Sequence, residues 1–310
     1  MRVAPESAAE SNRLDGAPAA HLELGVISEG VSAWPLYVAQ ATGLFERAGL
    51  HVETTVVGSS VKQQADLIAG RYDIGFQQAD HIVRAVERGA DLVAFAAQSH
   101  APEVTLVAVP GIGAIEDLRG RAIGVDGART GYALLLMRLL QRHGLTADDV
   151  ELVEIGGSKE RYDAIRRGTA AACMLNAPFD ESLVETGCTR LARLSDAFPD
   201  YPGSVMGARR RWADAHRREL AAFVGALNEA YGWLQQPANR ERALALLPER
   251  LALAPHAARA ALEHYTARER PRLTAEGMRR VIDVVWDAEG YAAPRGDPAR
   301  YMDVSYAGPQ

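Results

Sequence analysis

The most constraining feature of the chain is a repeated alternation. Short apolar runs of strand character, His21–Ser28, His51–Val57, Tyr72–Phe76 and Leu92–Gln98, are each separated by a helical segment such as Pro35–Gly43, Val61–Gly70 or His81–Gly89. Strand and helix in strict turn, with short connections, predict a mainly parallel sheet with helices on its faces. A second unit of the same kind follows, with strands in "LRGRAIGVDG", "DVELVEIGG" and "TAAACMLNAPFD" and helices between them. "SVMGAR" adds one more strand, and the remainder is helical, with Leu220, Phe223, Val224, Leu227 and Tyr231 forming one apolar stripe. The fold class read from this is α/β, in two lobes.

At 310 residues, 48% hydrophobic and 24% charged, the chain is long enough for two domains with large cores. The net charge of −6 and the lack of a basic face give no reason to expect a nucleic-acid partner. No apolar run reaches the roughly 18 residues that a membrane span needs. The two cysteines, Cys173 and Cys188, form no metal motif, and neither HExxH nor GxxxxGK[ST] occurs, so no metal and no cofactor are expected. Cys173 reads as a buried core residue; a disulfide to Cys188 would require export. The first twenty residues are rich in Ala, Pro and Ser and lack the apolar segment of a secretory signal. The protein is thus expected to be periplasmic or extracytoplasmic if a leader was removed, and cytoplasmic if Met1 is the true start.

Several segments resemble one family. "PLYVAQATGLFERAGLHVETTVVGSS", "LIAGRYDIGF", "LRGRAIGVDGARTGYALL" and "TAEGMRRVIDVVWDAEG" occur in the order seen in type II periplasmic solute-binding proteins. The resembling branch binds alkanesulfonates, taurine, nitrate and thiamine-precursor pyrimidines, and the likeness runs from Leu22 to Asp303. It implies two α/β lobes around a ligand cleft. Transferred to this chain, lobe one is 21–108 with 205–303, lobe two is 109–204, 1–20 is a disordered lead and 304–310 a tail. The crossovers are expected in "EVTLVAVPG" and "YPGSVMGA".

A rule independent of the family points to the same cleft: open α/β sheets bind ligands beyond the carboxyl ends of their strands. The candidates at those ends are Ser28, Glu29, Trp34, Tyr37, Ser59, Gln77, Gln78, Asp80, Gln98, Arg129, Thr130, Asn176 and Phe179. "GVDGARTG" reads as an anion cradle, with Gly127 and Gly131 permitting a tight turn and Arg129 as a bidentate clamp; the alternative is a plain turn with Arg129 in solvent. The family often has Ser where Ala128 stands, which puts one hydroxyl contact in doubt. Trp34 and Tyr37 are either an aromatic pocket wall or internal packing. Asp80 doubles as a candidate N-cap for the helix that follows.

The function implied is capture of a small organic ligand, expected to be anionic, by hinge closure, and its delivery to an ABC-type permease. Glu29, Asp80 and Asp180 would equally suit an amine-bearing ligand. The alternatives are a cytosolic enzyme on the same fold (decarboxylase, desulfinase or pyrimidine-precursor type) and a metabolite-sensing module. If the chain were an enzyme, its proton-handling candidates are His81, Asp80 and His100. There is no nucleophile elbow, the cysteine-rich motif of the related pyrimidine synthase is absent, and no cysteine stands where the desulfinase nucleophile would be.

Overall fold

A computed structural model describes residues 19–27, 29–251, 255–267 and 269–308. The alternation in the sequence becomes two five-stranded sheets. The first comprises β1 (Ala20–Val26), β2 (Leu50–Val56), β3 (Ile74–Gln78), β4 (Leu92–Ala97) and β10 (Ser204–Arg209), in the order β2-β1-β3-β10-β4. The second comprises β5 (Thr105–Ala108), β6 (Ala122–Val125), β7 (Glu151–Glu154), β8 (Ala172–Leu175) and β9 (Thr189–Arg193), in the order β7-β6-β8-β5-β9.

In each sheet one strand opposes the rest, and it is the first strand laid down after the chain changes sheet. β5 runs antiparallel between β8 and β9, and β10 runs antiparallel between β3 and β4. This corrects two expectations. The segments expected to cross, "EVTLVAVPG" and "YPGSVMGA", hold β5 and β10 themselves, so each change of sheet falls just before its strand. Thr105–Ala108, expected in lobe one, is hydrogen-bonded into the second sheet. β9 carries no clear apolar alternation, being half-exposed along its length, and pairing alone reveals it. Of the expected lead, residues 1–18 lie outside the described residues and Ala20 already opens β1. The expected tail is partly packed: Tyr306 is buried and bonds Asp214 through its hydroxyl at 2.8 Å.

The strand pattern follows from which faces are covered. In β1, Leu22, Leu24 and Val26 are buried while His21 is exposed, the period of two that a half-covered strand requires. One face of the first sheet packs on helices Trp34–Ala41, Leu44–Arg47 and Arg217–Gln235 through Trp34, Phe45 and Phe223. A second cluster runs through both lobes and joins helix Ala79–Glu87 and helix Ala275–Glu289 to helix Gly131–Arg142. Helix Ser60–Ile68 lies so near the sheet that a Cβ on Gly75 would press on the Gln63 amide, which a larger residue would have to displace. Gln63, wholly buried, donates to the Gly25 carbonyl at 3.0 Å.

Both cysteines are free thiols, and burial raises the Cys173 pKa to about 11, as suits a core residue. Among the described residues no helix is long and apolar enough to cross a membrane.

Candidate functional site

The carboxyl ends of the strands in both sheets face a common cleft of about 1080 Å³. Its first wall is built by the ends of β1, β3 and β4, and its second by the loops after β6, β7 and β8. Tyr265, from helix Pro255–Thr266, closes one side.

On the first wall, Gln77 and Gln78 belong to β3 itself, paired with Val205 and Ser204 of β10. The strand therefore does not stop before its polar residues; it delivers them at a fixed height. Gln77 is 1% exposed, and neither its amide nitrogen nor its amide oxygen has a hydrogen-bond partner among the described residues. Gln78 Oε1 is in the same condition. Leaving a buried amide group unpaired costs about 1–3 kcal/mol; the Gln77 amide nitrogen lies over β10, where a Cβ on Gly207 would fall 3.0 Å from it. Glu29, Ser59, Gln98 and His81 also line the cleft. Ser59 caps helix Ser60–Ile68 by accepting from the Lys62 amide at 3.3 Å. Ser28 lies outside the described residues.

On the second wall the polar groups are tied to one another. Asn176 donates through Nδ2 to the Glu103 carbonyl at 3.0 Å, and its Oδ1 accepts from Ser158 Oγ at 2.9 Å. Arg161, 5% exposed, donates through Nε to the Met174 carbonyl at 2.6 Å, and also reaches the Gly156 carbonyl and Ser158 Oγ. Burial lowers its pKa from the usual guanidinium value. Thr130 caps helix Gly131–Arg142, accepting from the Ala133 amide at 3.2 Å while its hydroxyl donates to Asp126 at 2.8 Å. Phe179 lines the cleft and leans on Tyr162, ring centroids 5.6 Å apart. Asp180 keeps one oxygen on the Thr105 hydroxyl at 2.8 Å, and its other oxygen has no partner among the described residues. Burial pushes the Asp180 carboxyl above the ordinary carboxylate range.

Four expected residues sit elsewhere. Trp34 is wholly buried in lobe one, its ring 5.9 Å from that of Tyr265. Tyr37 is buried too, and its hydroxyl accepts from the Gly30 amide at 3.2 Å, so it props the loop that lines the cleft instead of lining it. Arg129, whose side chain is 73% exposed, turns out of the cleft onto Glu289 at 3.1 Å. The anion cradle thus lacks its clamp, because the opposing helix offers a carboxylate closer than the cleft. Asp80 lies beneath the cleft, fully buried, 3.8 Å from Arg84. It does not cap the helix, which begins at Ala79 with Gln78 as N-cap.

Asp80 instead meets the other lobe. A Cβ on Gly131 would lie 2.3 Å from Asp80 Oδ1, so the carboxylate rests on the first turn of helix Gly131–Arg142, where the helix dipole favours negative charge. Arg84 Nη1 donates to the Arg129 carbonyl beside it. Of the proton-handling trio, only His81 lines the cleft; Asp80 and His100 do not.

Phe76, Tyr132, Arg161 and Tyr265 line the cleft without having been singled out in the sequence. Burial raises the Tyr132 phenol pKa, with the charges of Glu103 and Asp126 adding to it. Arg161 had one legible signal, its place one turn into a helix that follows the strand end "EIGG".

Comparisons agree with this architecture. The alkanesulfonate-binding protein SsuA from Xanthomonas axonopodis pv. citri, solved bound to MOPS, superimposes with a TM-score of 0.75 at 20% identity, covering 93% of this chain and all of that one (100%). The fold is the two-lobed type II periplasmic-binding-protein fold. The bicarbonate transport ATP-binding protein CmpC of Synechocystis is 28% identical over 74% of this chain, which spans 37% of that longer protein. The 4-amino-5-hydroxymethyl-2-methylpyrimidine phosphate synthase of Aspergillus parasiticus is 27% identical, over 67% of this chain and 69% of its own. The model of the family described as NMT1/THI5 like matches residues 31–239, most of both lobes, and the chain belongs to that family.

Proposed function

We propose that the protein is a solute-binding protein that closes its lobes on one small organic molecule and presents it to an ABC-type permease. The observation that carries this reading is that a strand sets Gln77 and Gln78 in the first wall of the cleft, with both amide atoms of Gln77 and Oε1 of Gln78 lacking partners among the described residues, while hydrogen-bonded side chains of the other lobe line the same cleft. Groups on both walls bind one ligand together only when the lobes approach, so binding favours the closed state. Delivery to a permease would place the protein outside the cytoplasm.

The ligand class follows from the charges. The expectation of an anion leaned on Arg129, which faces Glu289, and the buried Arg161 guanidinium is occupied by carbonyls. Six acidic residues, Glu29, Glu103, Asp126, Glu160, Asp180 and Glu181, line the cleft against Lys159, Arg161 and Arg193, and Lys159 and Arg193 pair with Asp163 and Glu181. A neutral or amine-bearing ligand whose N–H groups meet the Gln77 oxygen and Asp180 fits this better than a plain anion.

A second reading, an enzyme on the same fold, is supported by the likeness to the Aspergillus synthase. One experiment separates them. The protein is screened by thermal shift against aminopyrimidines, alkylamines, sulfonates and carboxylates, and each hit is recovered by denaturation and weighed. A binder returned unchanged supports capture and delivery; a binder returned as a product supports the enzyme.

A further inference from the structure

At the end of lobe one away from the cleft, β1 and the edge strand β2 pair in parallel with His21 opposite His51 and Glu23 opposite Glu53. Residues two apart on a strand share a face, and burial of Leu22 and Leu24 sends His21 and Glu23 to the other one. Four ligand-type side chains therefore form a two-by-two grid on that face. The imidazoles stack, with centroids 5.3 Å apart and planes 26° apart. Both Nε2 atoms turn to the carboxylate end, His21 to Glu23 at 2.8 Å and His51 to Glu53 at 3.3 Å. The donor atoms of His21, His51 and Glu53 all lie within 4.8 Å of one another.

We propose that His21, His51 and Glu53 form a surface site for a divalent first-row transition ion of the zinc, nickel or copper class, with water completing its coordination. Two imidazoles and one carboxylate are the donor set these ions favour over magnesium or calcium. Bond lengths near 2.0–2.2 Å require the three donors to draw together. Their side chains are about half exposed, 48% for His21 and 58% for His51 and Glu53, so rotation alone achieves this while paired strands hold the backbone. Glu23, already on His21 Nε2, either joins the ion or releases the ring to it. The bound ion staples the edge strand to its neighbour. Because His21 is the second residue of β1 and the cleft lies beyond the strand's far end, occupancy is independent of the solute.

The test is calorimetric titration of zinc chloride into the full chain, freed of metal by chelation and carrying no affinity tag, beside His21→Ala, His51→Ala and Glu53→Gln. The expected result is one saturable equivalent in the wild type at slightly alkaline pH, weakened at least about tenfold in each histidine variant. Binding falls as pH drops through the imidazole range, and zinc raises the melting temperature of the wild type only. Circular dichroism checks that the variants fold. Absence of saturable binding at millimolar zinc in the wild type, or full affinity in His51→Ala, overturns the site.

Discussion

Two short helices follow the central strands of the two lobes, and each buries an aspartate in its first turn: Asp80 after β3 and Asp180 after β8. Their surroundings differ. Asp180 faces the cleft, with one oxygen on Thr105 of its own lobe and a neighbouring wall of hydrogen-bonded side chains. Asp80 faces away from the cleft onto Gly131 of the opposite lobe, and ahead of it both amide atoms of Gln77 and Oε1 of Gln78 lack partners among the described residues. The same local plan thus serves two tasks. Lobe two supplies a wall whose Asn176, Ser158 and Arg161 are bonded to one another and to backbone carbonyls, with one Asp180 oxygen left over. Lobe one supplies open hydrogen-bonding groups and, beneath them, the contact through which the lobes meet.

Substitutions can break that contrast. Arg161→Ala should be the most damaging, because it strands buried carbonyls in the lobe-two wall; a loss of roughly 3 kcal/mol is expected in urea denaturation, since bonds to charged groups count most. Gly131→Ala should cost about 1–3 kcal/mol by pressing a methyl group onto a buried carboxylate, and Asp80→Ala in the same chain should recover part of it. Gln77→Leu should behave in the opposite sense to Arg161→Ala. Its melting temperature stays level or rises, because an unpaired amide is removed, while affinity for the screened ligand falls about tenfold, the equivalent of about 1.4 kcal/mol.

Asp180→Asn sharpens the comparison through pH. Burial raises the folded-state pKa of Asp180, so the native protein holds this proton to a higher pH than the unfolded chain does. Stability from this group is therefore fully present below the ordinary carboxylate value and lost as pH rises through the raised one. The variant should melt higher than wild type at neutral pH, and the difference should shrink as pH falls toward the ordinary carboxylate range. Arg129→Ala should do least: with the side chain outside the cleft, ligand affinity measured by calorimetry should not change.

The alternation of strands and helices made both sheets and the position of the cleft legible, because strand ends in an open sheet must point somewhere common. What sequence could not supply was direction and partner. Trp34 follows a strand end like a pocket residue, yet helix Trp34–Ala41 turns it into the core. Arg129 sits in a loop suited to anions, yet Glu289, far along the chain, claims it. Arg161 is not singled out by the sequence, because its carbonyl partners, Gly156 and Met174, come from the preceding loop and a neighbouring strand. His21 and His51 fit no spacing motif; only the register of two parallel strands places them together.

The most direct test of the central claim is calorimetry of the tightest binder from the amine, pyrimidine, sulfonate and carboxylate panel, against wild type and Gln77→Leu. A neutral or amine-bearing molecule binding one to one, recovered unchanged and weakened about tenfold by the substitution, is the predicted result. A sulfonate or carboxylate as tightest binder, held equally well by Gln77→Leu, would contradict it.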